Sequence, residues 1–163
     1  MGWWATKTRQ ASRYIVGRVS TSEQEALTSW LTPAQLALFH AMHRADQRHG
    51  LDVVARLRRD AYDDDGLLLA ALLHDCSKGP GVRMLHRVAW SLGERYGDAV
   101  LAATSWIPGF KRAFLALRDH AEDSAALALA AGCSERTADL IRHQAAPEDE
   151  VFGVALRLAD EAS

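Results

Sequence analysis

The sequence predicts an all-α fold, a single compact helical domain of about seven to nine helices. Apolar residues recur at helical spacing, as in Leu36, Phe39 and Met42. The 11 glycines and 4 prolines gather at a few points between such segments. No segment shows the strict alternation of apolar and polar residues that is typical of a half-buried strand.

The composition indicates one globular domain and excludes several other classes of protein. The chain has 163 residues, of which 48% are hydrophobic and 25% charged, values that are usual for globular domains. The 19 basic and 21 acidic residues leave a net charge of -2, which argues against disorder and gives no strong nucleic-acid signal. Cys76 and Cys133 lack the spacing of a zinc site or a disulfide framework, which favours the reducing cytoplasm.

We expect no membrane association, because no apolar run approaches the ~20 residues that span a bilayer and the N-terminus lacks the apolar core of a secretion signal. Residues 1–30 are predicted to form a basic helix or arm packed on the domain, which itself covers residues 31–163. The alternatives for the arm are a docking site for an anionic partner and an organelle transit peptide. The first 22 residues contain four basic side chains and no carboxylate: Lys7, Arg9, Arg13 and Arg18.

The first helices of the domain are predicted from their capping residues. Thr32 followed by Pro33 predicts a helix from Pro33 to about Met42. Asp46 is expected to cap the next helix, which ends near Asp60. The inward stripe of that helix consists of Leu51, Val54, Ala55 and Leu57.

An entirely apolar segment predicts the centre of the core. Three aspartates precede the run GLLLAALL at residues 66–73, which is apolar on every face. A helix of that kind is buried all round. It is followed at once by polar residues and by Gly79-Pro80-Gly81, which end the helix.

The remaining helices are predicted from periodicity and from their N-terminal residues. Ser134 can cap one of them, and Glu148, Asp149 and Glu150 suit the N-terminus of the last. The expected ranges are Val82–Tyr96, Phe110–Asp119, Glu122–Ala131, Ser134–Gln144, and a final helix from about Pro147 through Ala159.

A cluster of metal-ligand residue types is the main functional signal. The apolar helix ends at His74 and Asp75. Burying an imidazole and a carboxylate there destabilises the fold unless an ion pair or a metal ion compensates for the lost hydration. Alone, such a pair is more often a helix cap than a metal site. His49 on the preceding helix and Asp160 on the last one change this interpretation, because two His and two Asp from three helices can form one site with positions left for water and substrate. A mixed set of nitrogen and carboxylate ligands suits Mn, Fe, Co, Ni or Zn better than it suits Ca. Mg is also acceptable.

At this point the chain resembles the HD-domain superfamily of metal-dependent phosphohydrolases. The pattern H…HD…D is carried by DQRHGLDVV at residues 46–54, LAALLHDCSKG at 69–79, and Asp160. The resemblance implies an HD-type helical domain in which His49, His74, Asp75 and Asp160 bind one metal ion, with Asp75 and Lys78 catalytic and Lys78 binding substrate phosphate. The departure is Cys76-Ser77, where relatives often have an apolar residue and glycine.

Two further histidines resemble those of HD members that hold a second metal ion bridged by the first aspartate. They are His120, in HAEDSA at residues 120–125, and His143, in LIRHQ at 140–144. Two ions about 4 Å apart can clamp the attacking and leaving oxygens of an in-line displacement. Gln144 stands where a second histidine is common, so both a two-metal site and hydrogen-bonded histidines around a one-metal cleft remain open.

The other candidate residues have simpler alternatives. Arg48 can bind a substrate phosphate through a bidentate contact or form a salt bridge to Asp46 or Asp52. Trp90 and Trp106 can line a cleft and stack on a base, although buried core positions are commoner for tryptophan. Three histidines are expected to be ordinary surface or core-edge residues: His40, His43 and His86.

The sequence thus favours a metal-dependent phosphohydrolase, a phosphomonoesterase or phosphodiesterase acting on a nucleotide or other small phosphorylated metabolite. One alternative is a regulatory module that keeps the fold and the metal but has no turnover. Another is a di-iron oxygenase, since some HD relatives with extra histidines oxidise their substrates. A homodimer is also compatible with an all-α domain of this size.

Overall fold

The computed structural model describes residues 18–79, 81–82 and 84–163, and within these ranges it contains nine helices and no strand. The predicted all-α class is therefore confirmed. Most of the predicted basic arm, residues 1–17, lies outside the described residues. The helices are α1 (Thr21–Trp30), α2 (Pro33–Ala41), α3 (Arg44–Arg59), α4 (Asp65–Leu73), α5 (Met84–Tyr96), α6 (Asp98–Ser105), α7 (Phe110–Ala130), α8 (Glu135–Arg142) and α9 (Phe152–Ala162).

Capping side chains explain where several helices begin. The Thr32 hydroxyl accepts a hydrogen bond from the Gln35 N–H, and the Gln35 side chain accepts one from the Thr32 N–H, which starts α2 as predicted. Ser20 and Glu23 form the same reciprocal arrangement at α1. Ser134 caps α8 through the Thr137 N–H, which confirms the sequence prediction.

The cap of α3 differs from the expectation. The helix begins at Arg44, and Nδ1 of His43 accepts a hydrogen bond from the Ala45 N–H. Asp46 therefore lies inside the first turn, where its buried carboxylate pairs with Arg87 of α5 at 2.7 Å. The prediction that Asp46 caps the helix was wrong because an imidazole nitrogen three residues earlier already fills that role.

Three other boundaries were also predicted incorrectly. A single helix, α7, runs through the break expected between Asp119 and Glu122, because the residues there include no glycine or proline. The short helix α6 was not predicted. The last helix begins at Phe152 rather than near Pro147, because the Asp149 carboxylate accepts hydrogen bonds from the Val151 and Phe152 N–H groups and closes a turn before the helix.

Helix α4 lies at the centre of the main core, as its apolar sequence predicted. It packs against α3, α8 and α9. At Gly50 of α3, an added Cβ would lie 2.6 Å from the Leu72 carbonyl oxygen of α4, so glycine is needed for this close approach. The side chains of α4 that are buried are Leu67, Leu68, Ala70, Ala71, Leu72 and Leu73.

A second, smaller hydrophobic cluster lies where α5 and α6 pack on the first half of α7. Helix α7 joins the two clusters, since Phe114 belongs to the small one and Ala125 to the main one. In the part of the chain that the structure describes, no helix is long and apolar enough to cross a bilayer. The buried residues of the small cluster are Val82, Ala89, Ala113, Phe114 and Leu117.

Candidate metal centre

Three separate elements bring together a group of side chains that could hold a metal ion. His49 lies on α3, His74 directly follows α4, and Asp160 lies on α9. One ligand atom from each lies within 4.8 Å of the other two. Nε2 of His49 is 2.7 Å from Oδ1 of Asp160, and Nε2 of His74 is 3.5 Å from the same oxygen.

The backbone of α4 orients the His74 ring. Nδ1 of His74 is 2.9 Å from the Ala71 carbonyl oxygen, and because a carbonyl can only accept, Nδ1 carries the proton. Nε2 is therefore directed toward Asp160. Such a bond from the far ring nitrogen is the usual support of a metal-ligating histidine.

The charges in the site stabilise one another in the absence of a metal ion. Burial opposes protonation of His74, but the carboxylates of Asp75 and Asp160 outweigh it and raise the pKa of His74 to about 9. Burial likewise opposes ionisation of Asp160, yet hydrogen bonds from His49 and His74 hold its pKa well below the usual range. Coordination of a metal ion by His74 therefore requires the loss of the Nε2 proton.

Asp75 lies beside this group, and both of its carboxylate oxygens are in contact with the Lys78 ammonium group. Lys78 Nζ is 2.6 Å from Oδ2, to which it donates, and 2.6 Å from Oδ1, which receives no hydrogen bond although it is buried. Oδ1 is 3.6 Å from Nε2 of His74 and 3.7 Å from Nε2 of His120. Burial opposes the ionisation of Asp75, but the charge of Lys78 and that of His74 hold its pKa well below the usual range. This buried, ionised oxygen is paired with Lys78 and also lies near the Nε2 atoms of His74 and His120, so it can contribute negative charge to a cation site beside the group of three.

The two additional histidines occupy different surroundings. Nδ1 of His120 is 2.7 Å from the Leu117 carbonyl oxygen, so Nε2 faces Asp75. Burial and the charge of Lys78 lower the pKa of His120, which favours the neutral form that a metal ligand needs. His143 ends α8 with Nδ1 3.5 Å from Oε1 of Glu148 and does not belong to the group of three.

Gln144 forms a hydrogen bond to the backbone of His74 that the sequence did not predict. Its side-chain amide donates to the backbone carbonyl oxygen of His74 at 3.4 Å. Gln144 thus contacts the backbone at the centre of the site.

The remaining candidates have structural partners. Arg48 pairs with Asp52, the salt bridge that the sequence left open, and with Glu23 of α1 at 2.7 Å. Its contact with a substrate phosphate stays a prediction. His86 packs edge-on against Phe110, His40 is exposed, and His43 caps α3.

The tryptophans differ from each other in exposure. Trp90 is half-buried and packs against Phe114 of the small cluster, at 5.9 Å between ring centroids. Trp106 is 79% exposed, so it does not occupy the core position that is usual for tryptophan.

Exposure increases from the inner to the outer residues of the site. The side chains of His74 and Asp75 are 3% and 5% exposed, whereas that of Asp160 is 39% exposed. His49 and His120 are intermediate. The Asp160 side of the group is therefore its more exposed side.

A scan against protein-family models found no matching family, and searches of curated proteins and of solved structures found no match either.

Proposed function

We propose that this protein is a metal-dependent phosphohydrolase of the HD type that acts on a nucleotide or another small phosphoester. The observation that carries the proposal is the convergence of His49, His74 and Asp160 beside the buried, ionised carboxylate of Asp75. The order of these residues along the chain supports the family assignment. The greater exposure of Asp160 supports access of a small substrate from that side.

The ligand set supports a transition metal. His49, His74 and Asp160 would hold the ion, and Oδ1 of Asp75 would be its fourth protein ligand or a bridge to a second ion near His120. Two nitrogen and two oxygen ligands suit Mn, Fe, Co, Ni or Zn, and Mg is the alternative with oxygen-rich coordination. A bound divalent ion supplies Lewis-acid activation of water and neutralises charge on a phosphoryl group.

Lys78 is the residue best placed to contact the reacting phosphate. Its ammonium group has three donors, and in the structure Asp75 holds it at 2.6 Å. Asp75 thereby fixes a positive charge beside the ligand group. A fixed donor of this kind stabilises the negative charge that develops on a phosphoryl oxygen in the transition state.

The proposal is tested by elemental analysis of protein purified without chelator, followed by assays on a panel of phosphomonoesters and phosphodiesters. We expect a stoichiometric divalent metal and hydrolysis of at least one member. In His74→Ala and Asp160→Asn, metal affinity should fall at least ~100-fold, because the first change removes a ligand nitrogen and the second removes the carboxylate charge. His40→Ala, which removes an exposed histidine, is the matched control and should bind metal as the wild type does.

Other outcomes would support other functions. A protein that binds no metal, or whose phosphoester panel is untouched in wild type and His74→Ala alike, contradicts the proposal. A phosphorylated ligand that raises the melting temperature without being consumed indicates a regulatory module. Two irons per chain with oxygen uptake by the reduced protein indicate a di-iron oxygenase.

We also place the protein in the cytoplasm. Cys76 and Cys133 are both free and buried, which supports a reducing compartment.

A further inference from the structure

The turn that carries Asp75 and Lys78 is fastened to α7 by two serine side chains. The Ser77 N–H donates to Oγ of Ser124 at 3.1 Å, and the Ser124 hydroxyl donates to Oγ of Ser77 at 3.0 Å. The Ser77 hydroxyl then donates to the backbone carbonyl oxygen of His120 at 2.9 Å. These bonds form one continuous chain from the turn to the helix that bears His120.

The spacing of two residues on α7 explains how these hydrogen bonds hold the turn at two points. His120 and Ser124 are four residues apart and therefore lie on the same face of the helix. Ser77 contacts both positions. The turn is thus held at two points, one of them the backbone of the residue whose imidazole faces Asp75 at 3.7 Å.

Burial makes these hydrogen bonds difficult to replace with water. Ser124 is completely buried, so its hydroxyl depends on partners within the protein. The Ser77 N–H follows the end of α4, and Ser124 supplies its acceptor. Hydrogen bonds in a chain of this kind also strengthen one another.

We propose that Ser77 and Ser124 are positioning residues that set the distance between the Asp75 carboxylate and the His120 imidazole. The inference rests on the proposed function, because the distance matters only if these groups share or adjoin a metal ion. It assigns a role to the sequence Cys76-Ser77, the point at which the chain departs from the pattern it resembles. The serine side chain supplies a bond to α7 that glycine at this position cannot form.

The test compares Ser77→Ala and Ser124→Ala with wild type by titration with Mn²⁺, following free Mn²⁺ by electron paramagnetic resonance. We expect affinity to fall about 10–100-fold, the range typical of residues that orient metal ligands. Ser77→Thr retains the hydroxyl and should restore most of the affinity. The double alanine variant should resemble the weaker single variant, because both hydroxyls belong to one hydrogen-bond chain.

Thr137→Val is the matched control, since it removes another fully buried hydroxyl, one that pairs with Ser134 away from the site. It should lower the melting temperature and leave Mn²⁺ affinity unchanged. Wild-type affinity in both alanine variants would overturn the inference while leaving the proposed function intact.

Amide hydrogen exchange on the metal-free protein provides an independent measurement. In Ser124→Ala, we expect exchange of the Ser77 amide to accelerate at least tenfold, because its acceptor is gone, while α8 exchanges as in wild type. Unchanged exchange at Ser77 would contradict the anchoring. A wild-type protein that binds none of Mn²⁺, Fe²⁺, Co²⁺, Ni²⁺, Zn²⁺ and Mg²⁺ would overturn the proposed function, and with it the metal-positioning role, whatever the exchange shows.

Discussion

The same backbone contact orients two of the histidines at the site. His74 and His120 each donate from Nδ1 to the carbonyl oxygen three residues earlier, at 2.9 Å and 2.7 Å. Each bond fixes the ring so that Nε2 points away from its own helix. Both Nε2 atoms then face Oδ1 of Asp75. The orientation of the two rings is therefore set by their hydrogen bonds to the backbone.

Lys78 should affect turnover more than metal content. In Lys78→Met we expect kcat on the best phosphoester to fall about 100-fold, because a fixed donor to the developing negative charge is lost. Metal content should stay at the wild-type level, since Lys78 is not a ligand. Lys111→Met, which removes an exposed lysine of α7, should retain wild-type kcat. Equal kcat in the two variants would exclude Lys78 from the reaction.

Gly50 should be essential to both the fold and the site. An alanine Cβ would meet the Leu72 carbonyl oxygen at 2.6 Å, and a backbone atom of the central helix cannot move away cheaply. We expect Gly50→Ala to lower the free energy of unfolding by about 1–3 kcal/mol, the usual cost of overpacking, as measured by urea denaturation. Metal affinity should also fall, because separating α3 from α4 separates His49 from His74.

Gly81→Ala provides the comparison for this prediction. A Cβ at Gly81 would meet nothing within 4 Å, so its unfolding free energy should stay within about 0.5 kcal/mol of wild type. If Gly50→Ala were equally neutral, the close approach of α3 and α4 would not constrain the fold.

At the scale of elements, α1 is held on α3 by an ion pair whose strength depends on pH. Burial alone would raise the pKa of Glu23, but hydrogen bonds from Ser20 and Arg48 and the charge of Arg48 lower it to about 2. The Glu23 carboxylate therefore binds a proton less readily in the folded protein than in the unfolded chain. The stabilisation that ionised Glu23 contributes is complete at pH values above its ordinary pKa of 4.5, and it is lost as the pH falls from there toward 2.

Glu23→Gln should remove this dependence. We expect the unfolding free energies of wild type and variant to differ by less than about 1 kcal/mol at pH 6, because the pair is partly exposed, and to converge near pH 2. Urea denaturation across that range measures the difference. Glu25→Gln, at an exposed position of the same helix, should give a profile parallel to wild type. A constant difference at every pH would show that Glu23 acts through packing alone.

The sequence predicted best those elements whose signals are local. Helix α4 is apolar on every face, and Thr32-Pro33 and Ser134 are standard starts of helices, so each could be placed without tertiary information. The break expected near His120 was wrong because nothing local distinguishes a connection rich in helix-forming residues from the middle of a long helix. Similarly, the cap on α3 depends on a histidine ring orientation that composition does not encode.

For the candidate site, the sequence analysis named residues that the structure brings together, but not the contacts that support them. His49, His74 and Asp160 follow a recognisable order, and the structure brings them together. The contacts of Ser77 with Ser124 and of Gln144 with His74 depend on how α7 and α8 are rotated against the turn after α4. Had α7 been predicted as one helix, the shared face of His120 and Ser124 would have been the available signal.

At the scale of the whole molecule, the two hydrophobic clusters differ in size and in their relation to the site. The main cluster surrounds α4 and includes residues from α1, α2, α3, α7, α8 and α9. The small one is confined to α5, the first half of α7 and Val82, with Leu101 of α6 packed against it. His49, His74 and Asp160 lie on elements of the main cluster, so the ligand group should persist when the small cluster opens.

Phe114→Ala should therefore destabilise one part of the molecule selectively. Phe114 contacts Trp90 and Phe110, and its truncation removes the largest buried side chain of the small cluster, a change that costs about 3–5 kcal/mol in a closed core. We expect hydrogen exchange to accelerate in α5 and α6 while α4 and α8 keep wild-type protection, because a local opening needs less free energy than global unfolding. Adding Mn²⁺ to the Phe114→Ala variant should slow hydrogen exchange in α5 and α6 very little. Leu72→Ala, at a fully buried position in the last turn of α4, should instead accelerate exchange throughout the described helices. If Phe114→Ala accelerated α4 and α8 equally, the two clusters would unfold as one cooperative unit, and the residues of the candidate metal site would share the stability of all the described helices.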